Sequence, residues 1–283
     1  MLIAPETLLE RLDDPRLRIC DVRWFLTEPG RGRAEYEQAH IPGAIFVDVD
    51  RDLVAPTGPG RHPLPSPADF ARRMGELGIG PEHEVVAYDQ GGGTIAARLW
   101  WMLDAIGHPR AGLLDGGLAA WTAIGGPLDA TVPDHPPVTL APRRSTWPGT
   151  IDREALAASL GSVRLVDVRA AERYRGKVEP VDPVAGHIPS AVNLPTTGHL
   201  GPDGRFLPPA AIAARFREAG VDGDGPTVVH CGSGVNACHT LFALRLAGLP
   251  GATLYPGSYS DWSRSGMPVR SGQEPGEPTT DPQ

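Results

Sequence analysis

The sequence predicts an α/β chain of two tandem domains, each built on a parallel sheet flanked by helices on both faces. Three observations predict it. The chain contains itself twice, in the same order: Asp21-Val22-Arg23 returns as Asp167-Val168-Arg169, His40-Ile41-Pro42-Gly43-Ala44 returns as His187-Ile188-Pro189-Ser190-Ala191, and residues 107–121 (GHPRAGLLDGGLAAW) align with 248–262 (GLPGATLYPGSYSDW). Three separated matches in register mark a duplicated domain. Each half alternates short apolar runs with helical patterns, as a parallel sheet covered on both faces requires. The length, 283 residues with 41% apolar, suffices for two cores of ordinary size.

In the first half, residues 18–22, 45–47, 84–88 and 111–114 read as short buried strands. Helical patterns cover 67–77, with Ser66 as N-cap, and 94–106. The second half repeats the order with strands at 164–168, 191–194, 227–230 and 253–255, and helices at 152–160, 209–219 and 236–247. The expected organisation is a first domain over 1–130, a proline-rich linker over 131–149, a second domain over 150–271 and a disordered polar tail over 272–283. Right-handed crossovers place all strand C-termini on one edge of each sheet, and the loops at that edge carry the chemistry.

Composition removes several function classes. The 35 glycines and 31 prolines lack a three-residue period, so they signal tight connections and not collagen. A net charge of −8 argues against a non-specific nucleic-acid binder. No apolar run approaches the roughly 18 residues that cross a bilayer. The acidic start MLIAPETLLERLDD does not resemble a secretion signal. Three cysteines, Cys20, Cys231 and Cys238, are too few for a disulfide framework, so the cytoplasm is the expected compartment.

The most informative segment runs Val228-Val229-His230-Cys231-Gly232-Ser233-Gly234-Val235-Asn236-Ala237. A buried strand ends at His230, Cys231 stands at its C-terminal edge, and a helix starts near Asn236. The glycines allow backbone N–H groups to turn inward as an anion nest at a helix N-terminus. Such a nest favours a thiolate and any anion attached to the sulfur, a persulfide included. The matching first-half segment, Tyr88-Asp89-Gln90-Gly91-Gly92-Gly93, keeps glycines but carries Asp89 in place of a nucleophile. One half therefore reads as catalytic and the other as structural.

With these motifs the chain resembles the tandem-domain sulfurtransferases of the rhodanese superfamily, from about Leu2 to Arg270. The Asp-Val-Arg and His-Ile-Pro elements resemble the signature near the start of each domain, and Leu114-Asp115-Gly116-Gly117 with Trp121 resembles the one near its end. The resemblance implies a five-stranded parallel sheet in each half. No cofactor is expected, and no metal, since His230 beside Cys231 and His239 beside Cys238 lack zinc-ligand spacing backed by other ligands. The resemblance implies transfer of a sulfane sulfur from a small donor to Cys231, and from the resulting persulfide to cyanide or a thiol, with thioredoxin a candidate acceptor.

Loop composition separates two donor classes in this family. Cys231-Gly232-Ser233-Gly234 resembles the Cys-Gly-(Ser/Thr)-Gly loop of mercaptopyruvate enzymes, while thiosulfate enzymes resemble Cys-Arg-Lys-Gly. A neutral loop offers less attraction to a dianion. The resemblance makes Ser233 a hydrogen-bond donor or proton relay, His62 a general base and Asp50 its orienting partner. It makes Arg173 the residue that grips the donor's anionic end, with Arg175 and Lys177 as helpers, and Gly232, Gly234, Val235 and Asn236 the loop that cradles the donor. Two departures stand out. A second donor-binding arginine is expected shortly after Arg173, but the sequence reads Val181-Asp182-Pro183. Asn236 stands where the family usually has Thr, in a position to cap the helix.

Cys238, seven residues after Cys231, is either a resolving thiol or part of a packed helix face, and the second is favoured. Cys20 and the Trp100-Trp101 pair read as core. A cysteine phosphatase would need an arginine six residues after the nucleophile, where Ala237 stands. Non-enzymatic modules of this fold usually lack the cysteine, and Cys231 is present.

Overall fold

The computed structural model describes residues 1–279, in two compact units. The first gathers Met1–Ala55, Pro65–Pro148 and Leu200–Phe206. The second gathers Pro56–Leu64, Gly149–His199 and the described residues from Leu207 onward.

In the first unit the chain runs β1 (Leu2–Ile3), α1 (Pro5–Leu9), β2 (Leu17–Asp21), α2 (Arg31–Gln38), β3 (Ile45–Phe46), α3 (Val49–Asp52), α4 (Pro67–Glu76), β4 (Glu84–Tyr88), α5 (Ala96–Ala105), β5 (Ala111–Leu114) and α6 (Gly117–Ala123). The five strands pair in parallel in the order β1-β5-β4-β2-β3. The expected strands and helices fall within a residue or two of these bounds. Ser66 caps α4 as expected, its hydroxyl accepting from the N–H of Asp69 at 3.0 Å. Helix α2 was not foreseen, because RGRAEYEQ buries only Gly32 and Tyr36 and shows no apolar stripe. The expected linker has no helix or strand, yet it lies along the first unit: Val138 N–H donates to Gly75 O, Arg143 N–H to Ile106 O, and Trp147 Nε1 to Pro65 O.

The second unit runs α7 (Arg153–Ser159), β6 (Arg164–Asp167), α8 (Ala171–Tyr174), β7 (Val192–Asn193), a 3-10 turn (Thr196–His199), α9 (Pro209–Glu218), β8 (Thr227–His230), α10 (Ala237–Leu246), β9 (Thr253–Leu254) and α11 (Ser258–Trp262). Its parallel sheet has four strands, β7-β6-β8-β9, and not the expected five. The counterpart of β1 is reduced to one parallel bridge, Thr150 to Leu254, where Leu254 N–H donates to Gly149 O and Ile151 N–H to Leu254 O. The expected disordered tail is held at two points, Gly272 N–H on Arg175 O and Ser190 N–H on Pro275 O; residues 280–283 lie outside the described residues.

The repeated motifs build the same two devices in each unit. Arg23 grips Asp21 through Nε and Nη2 (2.9 and 2.7 Å to Oδ2) and reaches Ala39 O; Arg169 does the same to Asp167 (3.0 and 2.6 Å) and Gly186 O. Burial alone would raise the Asp167 carboxyl, but the charges of Arg169 and His230 outweigh it and hold it below the usual range. His40 stacks on Tyr36 at 4.0 Å and bonds its carbonyl; His187 stacks on Tyr174 at 3.8 Å and bonds its carbonyl. The paired Trp121 and Trp262 are fully buried, each indole N–H donating to a carbonyl six residues on.

Candidate active site

Strand β8 lies between β6 and β9, and all four of its residues are buried. Its C-terminal edge delivers Cys231 into the turn that leads to α10. Cys231 is buried but not sealed, at 4% exposure, whereas Cys20 and Cys238 are at 0%. Burial pushes the Cys20 thiol up to about 12, so that residue is an inert core thiol. Cys238 donates its S–H to Gly234 O at 3.4 Å, inside the packed face of α10.

One backbone amide of the expected nest meets the sulfur: Gly234 N–H donates to Cys231 Sγ at 3.1 Å. Gly234 has φ +79°, and a Cβ there would stand 2.4 Å from Pro256 O, so only glycine fits. The first unit shows the nest filled. Asp89 accepts from the N–H groups of Gly91 (2.9 Å) and Gly93 (3.1 Å) on one oxygen, and of Ile95 (2.8 Å) and Ala96 (3.2 Å) on the other. A side-chain carboxylate thus occupies the position that the second unit gives to the cysteine.

Cys231 is fixed from behind by α11. Its N–H donates to Ser258 Oγ (3.2 Å), its carbonyl accepts from Tyr259 N–H (3.0 Å), and Ser260 N–H donates to Gly232 O (2.9 Å). Ser258 holds a left-handed backbone, φ +53°, rare outside glycine. Its first-half counterpart is Gly117, with φ +57°. The second unit therefore accepts backbone strain to gain a hydroxyl on the cysteine amide, a trade found at functional sites. Sequence reasoning missed Ser258, although the alignment of GGL with GSY carried the signal.

The segment 56–64 of the second unit brings His62. Gly60 (φ +76°) approaches so closely that a Cβ would stand 2.4 Å from Gly257 O, and Arg61 N–H donates to Ser260 Oγ at 3.0 Å. His62 Nδ1 and Ser233 Oγ are then 2.6 Å apart, both residues buried. Asp50 lies on α3 in the first unit, exposed, and accepts from Trp24 Nε1 at 2.8 Å.

Arg173, on α8, is held by Glu179 through Nη2 (2.6 Å) and Nε (3.2 Å), and its Nη2 also reaches Asp182 at 3.3 Å. Burial would raise Glu179, but its hydrogen bonds from Arg173 and the N–H of Asp182 hold it below the usual range. A Cβ at Gly232 would stand 3.4 Å from Arg173 Nη1, so the guanidinium lies against the cysteine loop. The expected helpers go elsewhere, Arg175 pairing with Glu172 at 2.9 Å and Lys177 with Glu172 at 3.6 Å. Val235 is buried at the turn, its carbonyl accepting from Cys238 N–H. Asn236 occupies the N-cap position but its side chain makes no capping bond, because its backbone is already helical at φ −67°, ψ −21°. His62 and Arg173 therefore both stand against the loop Cys231-Gly232-Ser233-Gly234, His62 at Ser233 and Arg173 at Gly232.

The family model for the rhodanese-like domain matches residues 4–124 and 152–265. A Pseudomonas aeruginosa protein named "Probable 3-mercaptopyruvate sulfurtransferase" is 46% identical over 274 residues, covering 92% of this chain and 94% of that one. The thiosulfate sulfurtransferase of Rattus norvegicus is 36% identical, covering 90% and 87%. The crystal structure of SseA from Escherichia coli, described as showing the rhodanese fold and catalytic mechanism of 3-mercaptopyruvate sulfotransferases, superposes with a TM-score of 0.80 at 33% identity, covering 92% and 98%. On its two matched domains and these full-length relatives, the chain belongs to the rhodanese superfamily, among its tandem-domain sulfurtransferases.

Proposed function

We propose that this protein transfers the sulfur of 3-mercaptopyruvate to a thiol or cyanide acceptor through a persulfide on Cys231. The observation that carries the reading is the 2.6 Å contact between His62 Nδ1 and Ser233 Oγ, two residues along the loop from Cys231. Mercaptopyruvate needs a proton relay at the carbon end, because breaking its C–S bond leaves an enolate. The Cys231 thiolate attacks the donor sulfur, the C–S electrons pass to the enolate, and the proton leaving the donor thiol is returned to that carbon as pyruvate departs. Ser233 and His62 carry the proton between the two positions. The persulfide is held by the Gly234 N–H, and an acceptor thiolate or cyanide takes its outer sulfur and restores the Cys231 thiolate. Asp50 is assigned here to support His62 on the family resemblance.

Thiosulfate is the second reading. Asp182 stands where the mercaptopyruvate class carries an arginine, and a thiosulfate enzyme is among the relatives. The reducing cytoplasm suits a protein whose chemistry depends on a free thiol, and thioredoxin fits the thiol acceptor it calls for. Among the described residues no helix is long and apolar enough to cross a membrane.

Thiocyanate formation from cyanide, measured with each donor in turn, tests the assignment. Mercaptopyruvate should be preferred, and Cys231→Ser should fall to the uncatalysed rate. Undiminished turnover in Cys231→Ser would end the persulfide mechanism, and a clear preference for thiosulfate would overturn the donor assignment.

A further inference from the structure

The second donor-binding arginine is absent from its place in the sequence, where Asp182 stands. A second guanidinium, that of Arg61, nevertheless lies against the cysteine loop at Gly232. We propose that Arg61, carried on the 56–64 segment, replaces the missing arginine in space and clamps the donor's carboxylate together with Arg173, above Gly232. The proposal rests on the reading of the donor as a 2-oxo acid and names the residue that selects it.

Four observations support it. Arg61 Nη1 forms a salt bridge with Asp182 Oδ1, and Arg173 Nη2 reaches the other oxygen, Oδ2, at 3.3 Å. Asp182 thus acts as a buried spacer that binds one arm of each arginine; Arg264 Nη1, more exposed, stands 3.8 Å from the same carboxylate. The other arms turn to the cysteine loop: a Cβ at Gly232 would stand 3.0 Å from Arg61 Nη2 and 3.4 Å from Arg173 Nη1. Neither of those two nitrogens has a hydrogen bond among the described residues, and Arg61 Nε is buried without one. Of these, only Arg61 Nε is buried without an acceptor; the two arms are part-exposed, on side chains 15% and 19% accessible, so an arriving carboxylate can reach them and take charge-assisted hydrogen bonds from both. The backbone of Arg61 is also positioned, by Gly60 on Gly257 and by its N–H on Ser260 Oγ.

The charge balance sets the kind of donor. Asp182 and Glu179 neutralise much of the charge on Arg61 and Arg173, so the face against Gly232 presents two N–H arms and little surplus positive charge. Such a site suits a planar monocarboxylate, which takes hydrogen bonds from two sides, better than a compact dianion. Gly232 belongs to the same design, since a side chain there would enter the space between the guanidiniums and the loop.

Charge-selective alkylation of Cys231 tests this apart from turnover. Iodoacetate carries a carboxylate and iodoacetamide does not, and peptide mass spectrometry reads the Cys231 product of each. In Arg61→Ala the iodoacetate rate should fall about tenfold while the iodoacetamide rate stays within about twofold, and Arg61→Lys should recover part of the loss. KM for mercaptopyruvate should rise about tenfold in Arg61→Ala with kcat within about threefold. An iodoacetate-to-iodoacetamide ratio equal to the wild type's in Arg61→Ala would overturn the proposal, as would an equal change with both reagents, which marks a purely structural role. If the wild type fails to turn over mercaptopyruvate, the donor reading falls, and the alkylation ratio still decides the role of Arg61.

Discussion

At the scale of single residues, the site depends on a few atoms whose placement can be tested one at a time. Ser258 holds a left-handed backbone and accepts from the Cys231 N–H. Ser258→Ala keeps the strain and leaves that amide without its partner, a loss of about 1–3 kcal/mol. Ser258→Gly loses the same bond but relieves a left-handed cost of about 1 kcal/mol, so it should be the milder change. Denaturant midpoints of the two variants check the order, and a glycine variant less stable than the alanine one would contradict it. Gly234→Ala meets both a positive φ and Pro256 O, and should destabilise by about 2 kcal/mol or more while depressing sulfur transfer. Cys231, Gly232, Ser233 and Gly234 stand out in the sequence because they form one contiguous motif after a strand, whereas Arg173 is singled out only by the family resemblance. His62 too is singled out only by the resemblance, since no local pattern links it to Ser233, which it meets across 171 residues of chain. Arg61 was not legible, because its role depends on where the 56–64 segment comes to rest.

At the scale of elements, duplication explains what reads easily and what does not. The Asp-Val-Arg and His-Ile-Pro motifs recur because each unit needs the same buried ion pair and the same stacked histidine to close its sheet edge. Strands β4, β5 and β8 match their expected bounds because their apolar runs have clear ends. Helix α2, whose only large apolar residue is the buried Tyr36, and the two-residue β1 give no period to read. The fifth strand of the second sheet was expected by analogy, but its counterpart keeps only one bridge. The glycine loop diverged in use: Asp89 fills the first nest with four backbone donors. Removing that carboxylate should therefore damage the first unit by stranding buried amides. Asp89→Ala is expected to lower stability by about 3 kcal/mol or more, read from the denaturation midpoint, and a change below about 1 kcal/mol would show that the nest does not depend on it.

At the scale of the whole molecule, buried histidines set the response to acid. Burial lowers His187, His199 and His230 from their ordinary value of 6.5, His199 the most, with Asp167 pulling the other way on His187 and His230. His83, His108 and His135 are lowered by burial as well. The unfolded chain then binds more protons than the folded one below pH 6.5, so their stabilising contribution is complete above 6.5 and is lost as pH falls through their depressed folded values. Asp89 and Asp115, raised by burial from 3.8, act in the opposite sense over the window above 3.8. The thermal midpoint should fall between pH 7.5 and pH 5.5, and a midpoint that rises over that range would contradict the histidine account. The proposed chemistry rests on a single thiol, and one measurement tests that most directly. The protein is incubated with mercaptopyruvate in the absence of acceptor, and its cysteine peptides are weighed and fragmented before and after cyanide, fragmentation separating Cys231 from Cys238 on their shared peptide. One added sulfur atom on Cys231, none on Cys20 and Cys238, and its release as thiocyanate are the predicted result. Pyruvate formation with Cys231 unmodified, or the sulfur found on Cys238, would contradict the account.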